Sequence, residues 1–194
     1  SQTVYPSRIH IYNNQANEDL TDLGKFRFLE HYENEDVYYL SMDDDLEYSE
    51  TYIEDMVKAV DEHNCIVTHH GRTLAGKRPN YYKDHENHHC TIGNDKECFI
   101  DIAGTGVTAF KTSYFCPSDL YKLPERKMAD VLFSREAAVN GKKIFLLAHK
   151  PGYIKQLPYD RLSSCHTTQV DNCQRQSEIA NEIYAMKHKR RTKS

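Results

Sequence analysis

The sequence predicts an α/β fold, in which helices cover both faces of a mixed, mostly parallel sheet. Two observations lead to this prediction. Short apolar, β-prone runs alternate along the chain with amphipathic segments of helical period, which is the pattern of βα units. In addition, the acidic triplet Asp43-Asp44-Asp45 directly follows the apolar run 37–42. Because open α/β sheets bind ligands at the carboxyl ends of their strands, we expect a ligand site at the triplet.

The first part of the chain contains three predicted strands, at 8–12, 37–42 and 65–68. Polar residues 13–17 form a loop, and residues 20–29 form a short amphipathic segment. A helix is predicted from Ser49, a capping residue, to Glu62. Its apolar side chains recur at a spacing of three and four residues, at Ile53, Met56, Val57 and Val60.

The second part begins with a long polar segment, 71–97, which predicts a functional or mobile loop. Strands are predicted at 98–102 and 107–110, around the turn Gly104-Thr105-Gly106, and at 143–148. A helix is predicted at 129–139, where Asn140-Gly141 ends it. Residues 155–173 are expected to be irregular, and the last helix is predicted at 174–186.

Size and composition favour one domain, which we place at 1–186. The chain has 194 residues and a formal charge of −4. Its six cysteines show no close CxxC pair, so we expect reduced thiols and a cytoplasmic location. We find no signal peptide and no apolar run long enough to span a bilayer. The chain also lacks a GxSxG motif and a GxxxxGK[ST] phosphate loop, so serine hydrolases and P-loop enzymes have no support.

Residues 187–194 form a basic tail. Such a tail suits a peripheral contact with an anionic membrane, or a linker to another domain of a larger protein, or simply a disordered end. We expect no nucleic acid partner and no transmembrane segment.

The triplet predicts a cation site. Three adjacent carboxylates repel one another and need a neutralising partner, which a divalent metal carrying a phosphorylated ligand would supply. A solvated acidic turn is the alternative, but the position between a strand and a helix favours the metal.

Several segments resemble GT-A glycosyltransferases, particularly family 2. Residues 38–48 resemble their DxD region, and residues 9–14 are similar to the strand that holds the nucleotide base. Residues 23–26 resemble the segment before the DxD strand. Gly104-Thr105-Gly106-Val107, followed by Met128-Ala129-Asp130, resembles the acceptor-side strand and the "ED" motif, here with a single carboxylate. The resemblance covers about residues 3–180. It implies a GT-A (Rossmann-like) αβα sandwich, from which the first strand and helix of the family are expected to be missing.

The resemblance also implies ligands. The expected donor is a nucleotide-sugar, in particular a UDP-sugar, and the expected acceptor is a glycan hydroxyl. Donor-binding residues would be Asn13, Asn14, Lys25, Asp43, Asp44, Gly104, Thr105 and Gly106. Lys150 and Arg72 are further candidates for the diphosphate.

A bound Mn²⁺ or Mg²⁺ is the expected cofactor. Asp45 is the first candidate for direct ligation and Asp43 the second, with a late histidine, His149 or His166, completing the site. Asp130 matches the position of the family's general base, which would give an inverting transfer.

Two alternatives stay open. One is a catalytically silent nucleotide-sugar or carbohydrate-binding domain of a larger protein. The other is an enzyme of a different reaction, a metal-dependent nucleotidyltransferase or phosphohydrolase that uses the same carboxylates.

Histidines are frequent after the third predicted strand. His69-His70-Gly71 follows that strand and is expected to line the cleft. A second group contains His85, His88, His89, Cys90 and Cys98. It offers zinc ligands, but its spacing matches no common structural zinc pattern. We therefore expect a mobile polar loop that covers the acceptor side.

Overall fold

The structure is a computed structural model that describes residues 2–158 and 173–191. Within these residues, the α-helices are α1 (Tyr52–His63), α2 (Ala129–Val139) and α3 (Cys173–Arg191). Two segments of 3₁₀-helix, Thr21–Tyr32 and Leu120–Lys122, accompany them. The strands are β1 (Tyr38–Met42), β2 (Leu46–Tyr48), β3 (Ile66–Thr68), β4 (Gly71–Leu74), β5 (His85–His88), β6 (Cys98–Ile100), β7 (Ile102–Ala103), β8 (Val107–Lys111), β9 (Ile144–Leu146) and β10 (Ile154–Gln156).

Five of these strands form the central sheet, in the order β1-β8-β3-β9-β6. The prediction of an α/β fold with a mixed sheet is confirmed. The prediction that the sheet is mostly parallel is wrong for the described strands, because only β3 and β9 pair in parallel. The reason is the position of β8, which runs back between β1 and β3 and is antiparallel to both.

Helices cover both faces of this sheet because successive strand residues point to opposite sides. In β3, Ile66 packs into one buried cluster and Val67 into the other. The first cluster joins the sheet to the long 3₁₀ segment, α2 and α3. The second cluster joins it to α1 and β10. The sheet therefore lies between two layers of helical segments.

The strand predicted at 8–12 is absent. These residues are extended but unpaired, and Ile9 and Ile11 are 75% and 82% exposed. A segment with an alternating pattern forms a strand only if a neighbouring strand can pair with its backbone groups. No described strand lies beside residues 8–12. The polar end of this segment nevertheless reaches the candidate site described below.

The segment predicted as a long loop, 71–97, contains a hairpin. β4 pairs with β5 from Gly71↔His88 to Leu74↔His85, and β4 also pairs with β7. The sequence missed these strands because β5 carries only polar residues, His85-Glu86-Asn87-His88, with no apolar alternation.

The other boundaries agree within a few residues. α2 spans the predicted 129–139, whereas α3 runs past the predicted end at 186 to Arg191. The first residues of the predicted tail are therefore helical, and Lys187 Nζ pairs with Asp101 at 3.0 Å.

None of the helices in the described ranges is long and apolar enough to cross a membrane.

Candidate active site

A cleft of about 1210 Å³ lies at the end of β1. Among its lining residues are seven predicted from the sequence, namely Asn14, Lys25, Asp43, Asp44, Asp45, Thr105 and Asp130. Four predicted residues are not part of the lining, namely Asn13, Gly104, Gly106 and His149. The structure thus brings the acidic triplet and Asp130 to one cavity, although they are far apart in the sequence.

The triplet forms the tight turn between β1 and β2, and Tyr48 holds this turn in place. The Tyr48 hydroxyl accepts the N–H of Asp43 at 2.8 Å and donates to the carbonyl of Gly106 at 2.8 Å. The N–H of Asp43 also lies 3.2 Å from that carbonyl. One phenol therefore joins the triplet turn to the Gly104-Thr105-Gly106 turn, a role that no local sequence pattern indicates.

Lys25 supplies a positive charge next to the triplet. Its Nζ forms an ion pair with Asp43. Burial lowers the pKa of Lys25, but the carboxylate of Asp43, with smaller contributions from Asp130 and Asp22, raises the pKa above its usual value. Lys25 is thus a firmly protonated cation among three carboxylates.

Asp22 is a functional residue that the sequence analysis missed. Its Oδ2 accepts the N–H of Ala129 at 2.8 Å, at the start of α2. Burial raises the pKa of Asp22, although this backbone hydrogen bond and Lys25 act in the opposite direction. The spacing of Asp22 and Lys25 could have indicated this residue. Residues three apart lie above one another in a 3₁₀-helix, so Asp22 shares a face with Lys25.

Asp130 is held by Thr105. Both the N–H and the hydroxyl of Thr105 donate to Asp130 Oδ1, each at 2.8 Å. Within the described residues no hydrogen bond reaches Oδ2, which lines the same cleft. Thr105 therefore fixes the orientation of the carboxylate, and its Oδ2 is available to accept a further hydrogen bond.

The two glycines of the turn act by their lack of a side chain. A Cβ atom on Gly106 would collide with the carboxylate of Asp43, and a Cβ atom on Gly104 would collide with the ring of His70. Gly106 therefore lets the turn approach the triplet closely, and Gly104 lets it approach His70; neither glycine lines the cleft.

The remaining carboxylates suit a cation. Asp44 is exposed and Asp45 is half-buried, and both line the cleft. Neither carboxylate receives a hydrogen bond or an ion pair from the part of the chain that the structure describes. Two unneutralised carboxylates beside a third fit a hard divalent ion such as Mg²⁺ or Mn²⁺, which prefers oxygen ligands.

Of the two predicted histidine ligands, the structure describes His149 only, and His149 does not line the cleft. His149 is buried, and its Nε2 donates to the carbonyl of Cys90 at 2.7 Å while its ring packs on His69. His166 lies outside the described residues. Of the other diphosphate candidates, Arg72 stacks on the ring of Tyr81 at 3.9 Å, and Lys150 does not line the cleft.

The predicted base-binding segment contributes differently from the prediction. The side chain of Asn14 is engaged by the backbone, since it donates to Thr21 O and accepts from Leu20 N, both at 3.0 Å. Asn13 accepts the N–H of Gln15 at 2.9 Å. Two aromatic rings also line the cleft, where His10 stacks on Phe28 with 4.5 Å between ring centres.

Comparison with known proteins adds no relative. No protein-family model matches the chain, and no curated protein is similar to it.

Proposed function

We propose that this chain is a metal-dependent glycosyltransferase that moves a sugar from a UDP-sugar to a hydroxyl group of a glycan acceptor. One observation carries the proposal. A single cleft contains two carboxylates at the end of a sheet strand that no described residue pairs with, a half-buried lysine and a separately held carboxylate, Asp130. The first two features suit a diphosphate with its cation, and the third suits a base.

The triplet end of the cleft would bind the donor. Asp45 and Asp43 would hold the Mn²⁺ or Mg²⁺, with Asp44 beside them. When bound, the cation neutralises the diphosphate as the glycosidic bond breaks. Lys25 is protonated and lies next to Asp43, so it is placed to donate to a diphosphate oxygen. The stacked rings of His10 and Phe28 offer a flat surface for a base.

Asp130 would receive the proton of the acceptor hydroxyl. Thr105 occupies Oδ1 and orients the group, so that Oδ2 is left to accept the proton as the hydroxyl oxygen attacks the sugar. A direct displacement of this kind inverts the anomeric configuration.

Donor binding is tested by thermal unfolding of the full chain with UDP, GDP and their sugars, with and without Mn²⁺. A ligand that binds only the folded state adds about 2.7 kcal/mol at about 100 times its Kd. We expect a UDP-sugar to raise the melting temperature more with Mn²⁺ than without. Asp45→Ala should remove the metal-dependent part, whereas Asp95→Ala, on an exposed carboxylate outside the cleft, should retain it. Absence of any nucleotide-dependent shift with metal present would refute the proposal.

Transfer is tested with Asp130→Asn. We expect the variant to bind donor like the original chain and to lose transfer by about 100-fold or more, the usual contribution of a general base. A loss of donor binding would contradict the role as base. Binding without consumption of donor by the original chain, over a panel of acceptors, would instead identify a silent binding domain.

A further inference from the structure

A second group of metal-ligand side chains lies on the opposite side of the Gly104-Thr105-Gly106 turn from the triplet. His70 follows β3, and His89 and Cys90 follow β5. One ligand atom from each of the three side chains lies within 4.8 Å of the other two. We propose that His70, His89 and Cys90 bind a Zn²⁺ ion.

The three side chains are held near one another by the fold. The N–H of Cys90 lies 3.3 Å from His70 Nδ1, so the imidazole stands against the residue that carries the thiol. The rings of His70 and His89 meet edge to face, 5.0 Å apart. His149 fixes the loop from the other side through the carbonyl of Cys90. Only a small contraction would bring the ligands to metal-bonding distances of about 2.0 to 2.3 Å from a common ion.

The ring of His89 is held in place by Thr91. Its Nδ1 accepts the backbone N–H of Thr91 at 3.4 Å and lies 2.9 Å from the Thr91 hydroxyl. Among the described residues no hydrogen bond reaches Nε2, which is therefore the candidate ligand atom. Cys90 is buried, whereas His70 and His89 are both half-buried, so an ion could enter from the side of the two histidines.

The ligand types favour a zinc-type ion. A thiolate with two neutral imidazoles suits Zn²⁺ rather than the Mg²⁺ or Mn²⁺ expected at the triplet. Binding would release the thiol proton of Cys90 to solvent.

This triad differs from the histidine group visible in the sequence. His88 lies in β5 with its Nε2 3.2 Å from the Thr73 hydroxyl, and Cys98 lies in β6, so neither joins the site. His70 is supplied from a different strand, which no short spacing pattern indicates.

Co²⁺ is the probe for this site. The full chain would be stripped with a chelator and titrated with Co²⁺, and absorption from thiolate-to-cobalt charge transfer would be recorded. We expect one thiolate-bound Co²⁺ per chain, which Zn²⁺ displaces. Cys90→Ser should remove this absorption, whereas Cys98→Ser and Asp45→Ala should retain it. An absent band, or one that survives Cys90→Ser, would overturn the proposal.

A second variant tests the site in case Cys90→Ser, which changes a buried residue, does not fold. His89→Ala changes a half-buried residue, and we expect it to weaken Zn²⁺ binding by at least about 100-fold, since loss of even an outer partner weakens metal sites by about 10-fold to 100-fold. His85→Ala, in the neighbouring strand, should leave the affinity unchanged. Equal effects of the two variants would contradict the assignment. These outcomes are independent of whether the cleft transfers sugar.

Discussion

The carboxylates of the cleft differ in what neutralises them. Asp43 is paired with Lys25, Asp22 accepts a backbone N–H, and Asp130 accepts two hydrogen bonds from Thr105. Asp44 and Asp45 have no such partner among the described residues. Identical side chains thus differ in how many of their lone pairs are already taken, and this difference is the reason we propose a cation at the triplet and a proton acceptor at Asp130.

Thr105 tests how Asp130 is held. We expect Thr105→Val to lower the free energy of unfolding by about 1 to 3 kcal/mol, because a buried hydrogen bond to a charged group is lost. Transfer should fall with it, while donor binding stays. Thr105→Ser keeps the hydroxyl and should retain most of both. Urea unfolding and single-turnover transfer measure the two effects, and equal behaviour of the valine and serine variants would show that the hydroxyl is unimportant.

His69 tests the effect of a buried neutral histidine. Burial, and secondly the neighbouring His149, lowers the pKa of His69 from 6.5 to about 3. Between about pH 6.5 and pH 3, His69 is therefore protonated in the unfolded state but not in the folded state. The free energy of unfolding consequently falls as the pH falls through this window. The slope from one such group reaches about 1.4 kcal/mol per pH unit.

Replacing His69 with Phe should reduce this slope between pH 6 and pH 4, as measured by about six urea titrations across the window. His31→Gln, on an exposed histidine, is the control and should leave the slope nearly unchanged. An unchanged slope in the His69 variant would mean that His69 is protonated in the folded state.

Two turns, more than any helix, build the site. The β1–β2 turn carries the triplet, and the β7–β8 turn carries Thr105 and the two close-packed glycines. Tyr48, from β2, joins them through Asp43 and Gly106. The metal end and the base end of the cleft are therefore positioned by one shared contact between neighbouring elements.

Tyr48→Phe should break this contact with little change in volume. The N–H of Asp43 loses its better partner, so we expect a loss of about 1 to 3 kcal/mol in the free energy of unfolding and weaker metal-dependent donor binding. Tyr38→Phe is the matched control, because its hydroxyl bonds the exposed Asp61 and should contribute less than about 0.5 kcal/mol. Unfolding in urea compares them, and similar losses in both would argue against a special role for Tyr48.

At the scale of the whole molecule, an aromatic cluster connects the helical layer to the sheet. Phe26 of the 3₁₀ segment stacks on Phe133 of α2 with 5.3 Å between ring centres, and Phe133 also contacts Phe110 of β8. Both Phe26 and Phe133 are fully buried. This packing joins the two elements that carry Lys25 and Asp130, and both residues line the same cleft.

Phe133→Ala should lower the free energy of unfolding by about 3 to 5 kcal/mol, because a buried ring is replaced by a cavity. Phe99→Ala, where the ring is 57% exposed on the edge strand β6, should lower it by far less. Calorimetry measures both, and a small effect of Phe133→Ala would show that the two layers are not coupled through this ring.

The sequence by itself determined which segments form most of the elements and most of the side chains that line the cleft end near the triplet. Periodicity and β-branched runs are local properties, and so α2 and the β1 strand before the triplet are predicted within a residue or so. The triplet, Lys25 and Asp130 were also recognisable from their neighbours along the chain.

Only the tertiary structure decided the partners of these residues. The antiparallel course of β8, the unpaired state of 8–12 and the β4–β5 hairpin depend on which strand lies alongside, and local pattern does not contain that information. For the same reason the roles of Asp22 and Tyr48, the position of His149 and the meeting of His70 with Cys90 emerged from contacts between residues distant in the chain. A side chain's chemical type is local, but its charge state and ligands depend on the neighbours that folding brings to it.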